Sequence, residues 1–196
     1  MLEFIGERVR QRLSALSFIQ TAGGLAEPVV RDDNGNARRF PVVRPWPGAE
    51  VEPGDMLNMA PNERTGCLAF VDATDDVRTV RDLGRWIDVE GLFRVVVWYD
   101  ERQVIHGDGS DTARALANEI TKVVHRADFS GEGVTGRARF MSSTNDPNAV
   151  WSRYGMGVDD RALFMHPYRT FAVTFKFKGR YSPSCFCPHI INAAVC

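Results

Sequence analysis

Residues Thr170–Gly179 read TFAVTFKFKG. Phe171, Val173, Phe175 and Phe177 fall on one side of an extended chain, and Ala172, Thr174, Lys176 and Lys178 on the other, because successive side chains of a strand point to opposite faces. This alternation predicts a strand with one dry face and one face turned to water or to a polar neighbour. That is the signature of an antiparallel sheet, since parallel strands buried on both sides read as continuous apolar runs.

Working outward, Leu92–Asp100 (LFRVVVWYD) is dominated by β-branched and aromatic residues and predicts a central strand. Gly66–Ala73 (GCLAFVDA) reads as a buried strand and Gly136–Ser143 (GRARFMSS) as a further one. Two segments carry helical spacing instead. Leu2, Ile5, Val9, Leu13 and Leu16 form a stripe at steps of three and four, with Glu3 and Glu7 early and arginines later, as the helix dipole favours. Ala113, Leu116, Ile120, Val123 and Val124 line one face of a second helix, which Ser110 or Asp111 caps and which ends near Arg126.

Between the first helix and the first buried strand lies EPVVRDDNGNARRFPVVRPWPG. Asn34-Gly35 readily adopts the positive φ angles of a tight turn, so Val29–Arg31 and Phe40–Arg44 are expected to pair as a hairpin. Pro28, Pro41, Pro45 and Pro47 cannot donate to a ladder and confine these strands to an edge or a projecting ribbon. Gly48–Thr65 shows no clean periodicity and reads as a long functional or draped connection. TDDVRTVRDLGRWIDVEG fits a short helix or an irregular crossover, and Thr144–Asp160 reads as a polar loop. With no internal repeat and no linker between two cores, residues 1–196 form one α+β domain. It has a mostly antiparallel sheet, helices packed on one face, a projecting hairpin at about 28–45 and a C-terminal tail at about 180–196.

The composition narrows the function classes. The 196 residues hold 24 basic and 25 acidic side chains, so the total charge predicts no steering towards nucleic acid or an anionic membrane. Only Lys122, Lys176 and Lys178 are lysines, and arginine's planar fork suits protein interfaces. No apolar run is long enough to cross a bilayer, and MLEFIGERVRQRLSAL lacks the uninterrupted apolar segment of a secretory signal, so residence in a cytosol with reduced thiols is expected.

No stretch carries a G-x-S-x-G elbow, a phosphate loop ending in Lys-Ser/Thr or a His-Glu-x-x-His pair. His106, Asp108 and Asp111 in HGDGSD precede a helix N-terminus, but a loop with an N-cap accounts for them fully. Asp72, Asp75, Asp76, Asp159 and Asp160 read as solvated loop acids without a catalytic role. Cys185, Cys187, His189 and Cys196 in the closing YSPSCFCPHIINAAVC offer soft ligands for zinc, yet C-x-C-x-H is a weak pattern, and an apolar tail laid across a neighbour is preferred. Arg31, Arg38, Arg39 and Arg44, interleaved with Phe40 and Trp46, suit a subunit contact better than a nucleic-acid groove. The expected interface residues are these six together with Phe186, Ile190 and Ile191 of the tail.

The element order of helix, VVRDDNGNARRFPVV hairpin, LFRVVVWYD strand, SDTARALANEITKVVHR helix and TFAVTFKFKG strand resembles that of the tail-terminator and tail-completion proteins of long-tailed bacteriophages. The resemblance spans most of the chain. It implies a structural, non-enzymatic virion protein, assembled in the host cytoplasm without a cofactor. Its partners would be copies of itself in a ring, commonly of six, and tail-tube and connector proteins, with no membrane and no sequence-specific nucleic acid. This chain departs from the pattern in its length, in the Thr144–Asp160 loop and in the cysteine-containing tail, which leaves a different neck or collar position open. The alternatives are a small zinc-dependent enzyme or binding module using the C-terminal cluster, and a nucleic-acid adaptor using the arginine-rich hairpin.

Overall fold

The computed structural model describes residues 1–33, 36–49, 55–62, 64–74, 77–104, 112–131, 133–154, 156 and 164–183. In chain order the elements are α1 (Leu2–Leu13), β1 (Thr21–Asp33), β2 (Asn36–Val43), β3 (Leu57–Asn58), β4 (Cys67–Ala73), β5 (Arg78–Asp82), β6 (Ile87–Asp100), α2 (Thr112–Val124), β7 (Val134–Thr144), α3 (Pro147–Trp151) and β8 (Tyr168–Tyr181). A single 3-10 turn, Ser152–Tyr154, follows α3. The fold is α+β, and the eight strands form one mostly antiparallel sheet in the order β3-β2-β1-β4-β6-β8-β7, with β5 attached to β6. Only β1 against β4 runs parallel among the described pairings.

The alternating segment that set the fold class is β8, and it lies beside β6 over the full length of both, from Ile87↔Tyr181 to Asp100↔Tyr168. β6 is longer than the apolar run alone predicts. Its first residues pair with β5 and its later ones with β4, so both strands lie along the same edge of β6. The segment expected as a short helix or crossover is thus a hairpin arm. Asp82 Oδ1 accepts from the Gly84 amide at 2.8 Å, and Gly84 has φ +74, which together turn the chain back in a tight loop.

One sheet face carries Cys67, Ala69 and Val71 of β4, Phe93, Val95, Val97 and Tyr99 of β6, and Phe171, Val173, Phe175 and Phe177 of β8, all buried. Against it pack Phe4, Ile5, Val9 and Leu13 of α1 and Leu116, Ile120 and Val124 of α2. Each such fully buried side chain contributes about 1.5–3 kcal/mol. Helix α1 sits close to the sheet because residue 6 is glycine: a Cβ there would lie 2.6 Å from the Leu25 amide nitrogen. At its other end α2 stops at Arg126, whose left-handed φ of 58 breaks the helical path while its amide bonds to Ala138 O at 2.7 Å.

The opposite face was expected to meet water or a polar neighbour. It is instead covered over part of its area, because the polar stretch 144–160 contains α3. Asp146 caps this helix, accepting from the Asn148 amide at 3.0 Å, and Pro147 opens its first turn. Val150, Trp151 and Tyr154 then pack on Leu68, Phe70, Val96, Trp98 and Ala172. Phe70, Trp151 and Tyr154 meet edge to face, with centroids 5.7–6.1 Å apart. The Trp151 indole donates to Thr170 Oγ1 at 3.0 Å. Helical cover therefore lies on both faces: α1 and α2 on one, α3 on part of the other.

Candidate functional site

At one end of the sheet β1 and β2 pair from Ala26↔Val43 to Asp33↔Asn36. The parallel pairing of β1 with β4 ends at Leu25, and β3 reaches only Val42 and Val43 of β2, so residues 27–33 and 36–41 form a two-stranded ribbon with no third strand among the described residues. Arg31 lies opposite Arg38, Val29 opposite Phe40, and Val30 opposite Arg39. Pro28 faces Pro41, so neither side of that step donates to the ladder. Val30 is 61% exposed and Phe40 is half-buried.

The other two expected contact residues of this region engage α1 of the same chain. Arg44 pairs with Glu3 of α1 at 3.1 Å, and the Arg10 guanidinium lies 4.9 Å above the Trp46 ring. Trp46 and Arg44 thus fasten the exit of β2 to the first helix. At the opposite end of the sheet β7 pairs with β8 on one side, and on the other residues 125–131 cover its edge as far as Phe140, through Arg126 N–H to Ala138 O, Phe129 N–H to Gly136 O and the reciprocal Gly131–Val134 bonds. At the register break Phe140 and Met141 are exposed, and 141–144 have no outer partner among the described residues.

The α3-bearing face divides in two. Its upper half is dry and centres on Asp72 of β4, which is fully buried. Asp72 accepts from Arg94 Nε at 2.8 Å, from Arg153 Nη1 at 2.5 Å and from the Tyr154 hydroxyl at 2.9 Å. Arg94 also donates to the carbonyls of Ala149 and Val150 at 2.9 and 2.8 Å. Burial and the neighbouring carboxylate push the Tyr154 phenol well above its ordinary pKa. Asp72 was expected to be a solvated loop acid. Its position opposite Arg94 in the β4–β6 ladder makes it the anchor that holds α3 and the following turn on the sheet.

Among the described residues nothing covers the lower half of this face. Glu90 of β6 sits between Arg78 of β5 and Lys176 and Lys178 of β8, and its bond from Lys176, at 2.8 Å, together with that from Arg78 draws its pKa down to about 2. Asp88, bonded by Arg180 Nε at 2.6 Å, is likewise held below the usual carboxylate range. Arg137 and Arg139 of β7 extend the row outward, and Asp128 stands across from Arg137 beyond them.

A cleft of about 440 Å³ opens where α2 begins, lined by Tyr99, Glu101, Thr112, Arg169 and Thr170 among others. Its carboxylate is already engaged: Glu101 meets His166 Nδ1 and Arg169 Nε, each at 3.2 Å. Burial pushes Tyr99 up to about 12 and the fully enclosed Cys67 thiol up to about 12, so neither supplies an anion near neutrality. Among the described residues no group of three His, Cys, Asp or Glu side chains is placed to hold a metal. His106, Asp108 and Asp111, Asp75, Asp76, Asp159 and Asp160, and the tail residues Cys185, Phe186, Cys187, His189, Ile190, Ile191 and Cys196 lie outside the described residues.

Comparison with protein-family models, with curated proteins and with solved structures returns no significant match.

Proposed function

We propose that the chain is a structural subunit of a ring at the neck or tail end of a long-tailed bacteriophage, joining or capping the tail tube, without catalytic turnover. One observation carries the reading: the sheet ends in two dissimilar exposed surfaces. At one end is the 27–33/36–41 ribbon, at the other the last residues of β7, 141–144, without an outer partner among the described residues and with Phe140 and Met141 exposed. A two-stranded ribbon alone in water is marginally stable, and an unpaired strand end with exposed apolar side chains invites further contact, so each gains from cover. Because the two surfaces differ, one subunit's ribbon against the next subunit's edge is a heterologous contact, and heterologous contacts whose rotation closes make rings.

On this reading the hairpin projects from the body and reaches the neighbour with Val30, Arg31, Arg38 and Arg39. The assembly is homo-oligomeric, commonly of six copies, located in the virion and docked on tail-tube and connector proteins. Sedimentation velocity and native mass measurement on the full chain, alone and with its tail-tube partner, test it. Closed rings are expected, and Val30→Asp and Met141→Asp should each return them to monomers. A monomer in both conditions refutes the proposal.

A further inference from the structure

We propose that the lower half of the α3-bearing sheet face, formed by β5, the start of β6, the end of β8 and β7, binds the phosphate backbone of double-stranded nucleic acid without reading its sequence. The surface is distinct from the ribbon and from the outer edge of β7, and the proposal does not depend on ring formation.

The registers place the side chains in three rows across this face. Arg139 stands opposite Lys176 in the first. Arg137, Lys178, Glu90 and Arg78 form the second, and Thr135, Arg180, Asp88 and Arg81 the third. Seven cations face three carboxylates, Glu90, Asp88 and Asp128, a surplus of four. With a formal charge of −1 for the whole chain and +4 here, the rest carries −5, so a near-neutral total conceals a segregated charge. The face is accessible: the Arg78, Lys178 and Arg180 side chains are 74%, 72% and 45% exposed.

The arrangement is unfavourable to the free protein. Arg139 against Lys176 and Arg137 against Lys178 are like charges directly opposite one another, a pairing that destabilises an antiparallel ladder. Glu90 and Asp88 stand on β6 and offset the inner columns, and Asp128, bridged opposite Arg137, is the one acid beside β7 among the described residues. An approaching row of anions relieves that repulsion. Cations recur about every 7 Å along β7 and β8 and stand about 5 Å apart between these two strands, a grid on the scale of neighbouring phosphates.

The choice of occupant follows from what the rows lack. No aromatic side chain stands in them, which removes the stacking platforms that single strands use. Two of the chain's three lysines, Lys176 and Lys178, stand here, whereas protein interfaces are depleted in lysine and enriched in aromatic residues. The ribbon is the weaker candidate for a polyanion, because Asp32 and Asp33 follow Arg31 directly and leave its segment nearly neutral.

Fluorescence anisotropy of a labelled duplex with the full chain tests the proposal. Neutralising four phosphates gives a slope of about −3.6 in log K against log salt, so affinity should fall about 150-fold between about 50 and 200 mM salt. The variant Arg137→Gln/Arg139→Gln/Lys178→Gln should flatten the slope to about −1 while leaving the melting temperature nearly unchanged, since it removes exposed, mutually repelling charges. Arg31→Gln/Arg39→Gln on the ribbon should leave binding intact. The proposal is overturned if the duplex does not bind at low salt, if the triple variant binds as before, or if a single strand of equal length binds at least as tightly. Displacement of the duplex by poly-glutamate of equal charge would also overturn it, assigning the face to an acidic protein surface.

Discussion

Replacing Asp72 by Asn should be among the costliest single changes that preserve side-chain shape. The carboxylate is fully buried and accepts from two guanidinium groups and a phenol, at 2.8, 2.5 and 2.9 Å. Removing one partner from a buried ion pair costs about 3–5 kcal/mol, because the charge left behind stays desolvated. Two features place this site at the low end. Arg94 keeps the carbonyls of Ala149 and Val150, and the Arg153 side chain is 39% exposed, so water takes over part of its solvation. A loss of about 3 kcal/mol is therefore expected, a large share of the 5–15 kcal/mol that a domain has in total.

Urea unfolding followed by tryptophan fluorescence reads this directly, since Trp151 lies in the layer that Asp72 anchors. With a slope of about 2–3 kcal/mol per molar urea, the midpoint should fall by roughly 1–1.5 M with the slope unchanged. Arg153→Ala should cost no more than about 1 kcal/mol, as befits a partly exposed pair. Adding Arg94→Met to Asp72→Asn should recover part of the loss, because an apolar pair strands no charge. If Asp72→Asn costs less than about 1 kcal/mol, or no more than Arg153→Ala, the site is hydrated and does not anchor α3.

Three further outcomes follow from the same structure. Glu90 has a folded pKa near 2 and an ordinary value of 4.5, so its contribution to stability is full above about pH 4.5 and vanishes as the pH falls towards 2; carboxylate NMR titration of wild type and of Lys176→Met, in which the pKa should rise, checks this. Cys67 should resist maleimide in a Cys185→Ser/Cys187→Ser/Cys196→Ser background for as long as the protein stays folded, and react promptly in urea, as mass spectrometry would show, because its thiol is enclosed and its pKa is pushed up to about 12. Arg126→Gly should raise the thermal midpoint slightly, by the equivalent of about 0.5–1 kcal/mol, since a left-handed φ of 58 favours glycine.

What the sequence made legible divides along physical lines. β8, α1 and α2 were readable because each carries a periodic apolar stripe, and β4 and β6 because an unbroken apolar, β-branched and aromatic run marks a strand buried on both faces; both signals survive without knowledge of neighbours. β5 was not, since every residue from Arg78 to Asp82 is exposed and no apolar period marks it. Its signal lay in the turn chemistry of Asp82-Leu83-Gly84. Helix α3 has five residues, too few for a period, and its signal was Asp146-Pro147, an N-cap followed by the residue best suited to the first turn. Asp72 was invisible for a different reason: nothing local distinguishes a solvated acid from one whose partners stand 22, 81 and 82 residues away.

The basic face follows from the same limit. Arg78, Arg137, Lys176 and Arg180 are scattered over a hundred residues, and in a chain whose charges cancel no window stands out. Two pieces were in view: alternation in TFAVTFKFKG put Lys176 and Lys178 on one side, and GRARF put Arg137 and Arg139 two apart. Register was the missing quantity. Shifting β7 by one residue against β8 would send both arginines to the α2 side, where Ala138 now lies, and would bring buried Ala138 out into solvent. The core therefore enforces the charge pattern. Burial of Val134 and Ala138 beside Phe177 fixes the slide of the edge strand, and that slide alone stacks Arg137 on Lys178 and Arg139 on Lys176. The repulsion on the outer face is maintained by packing on the inner one. Neutralising these arginines should accordingly leave the strand register in place, whereas a charge at Ala138 should disturb both faces together.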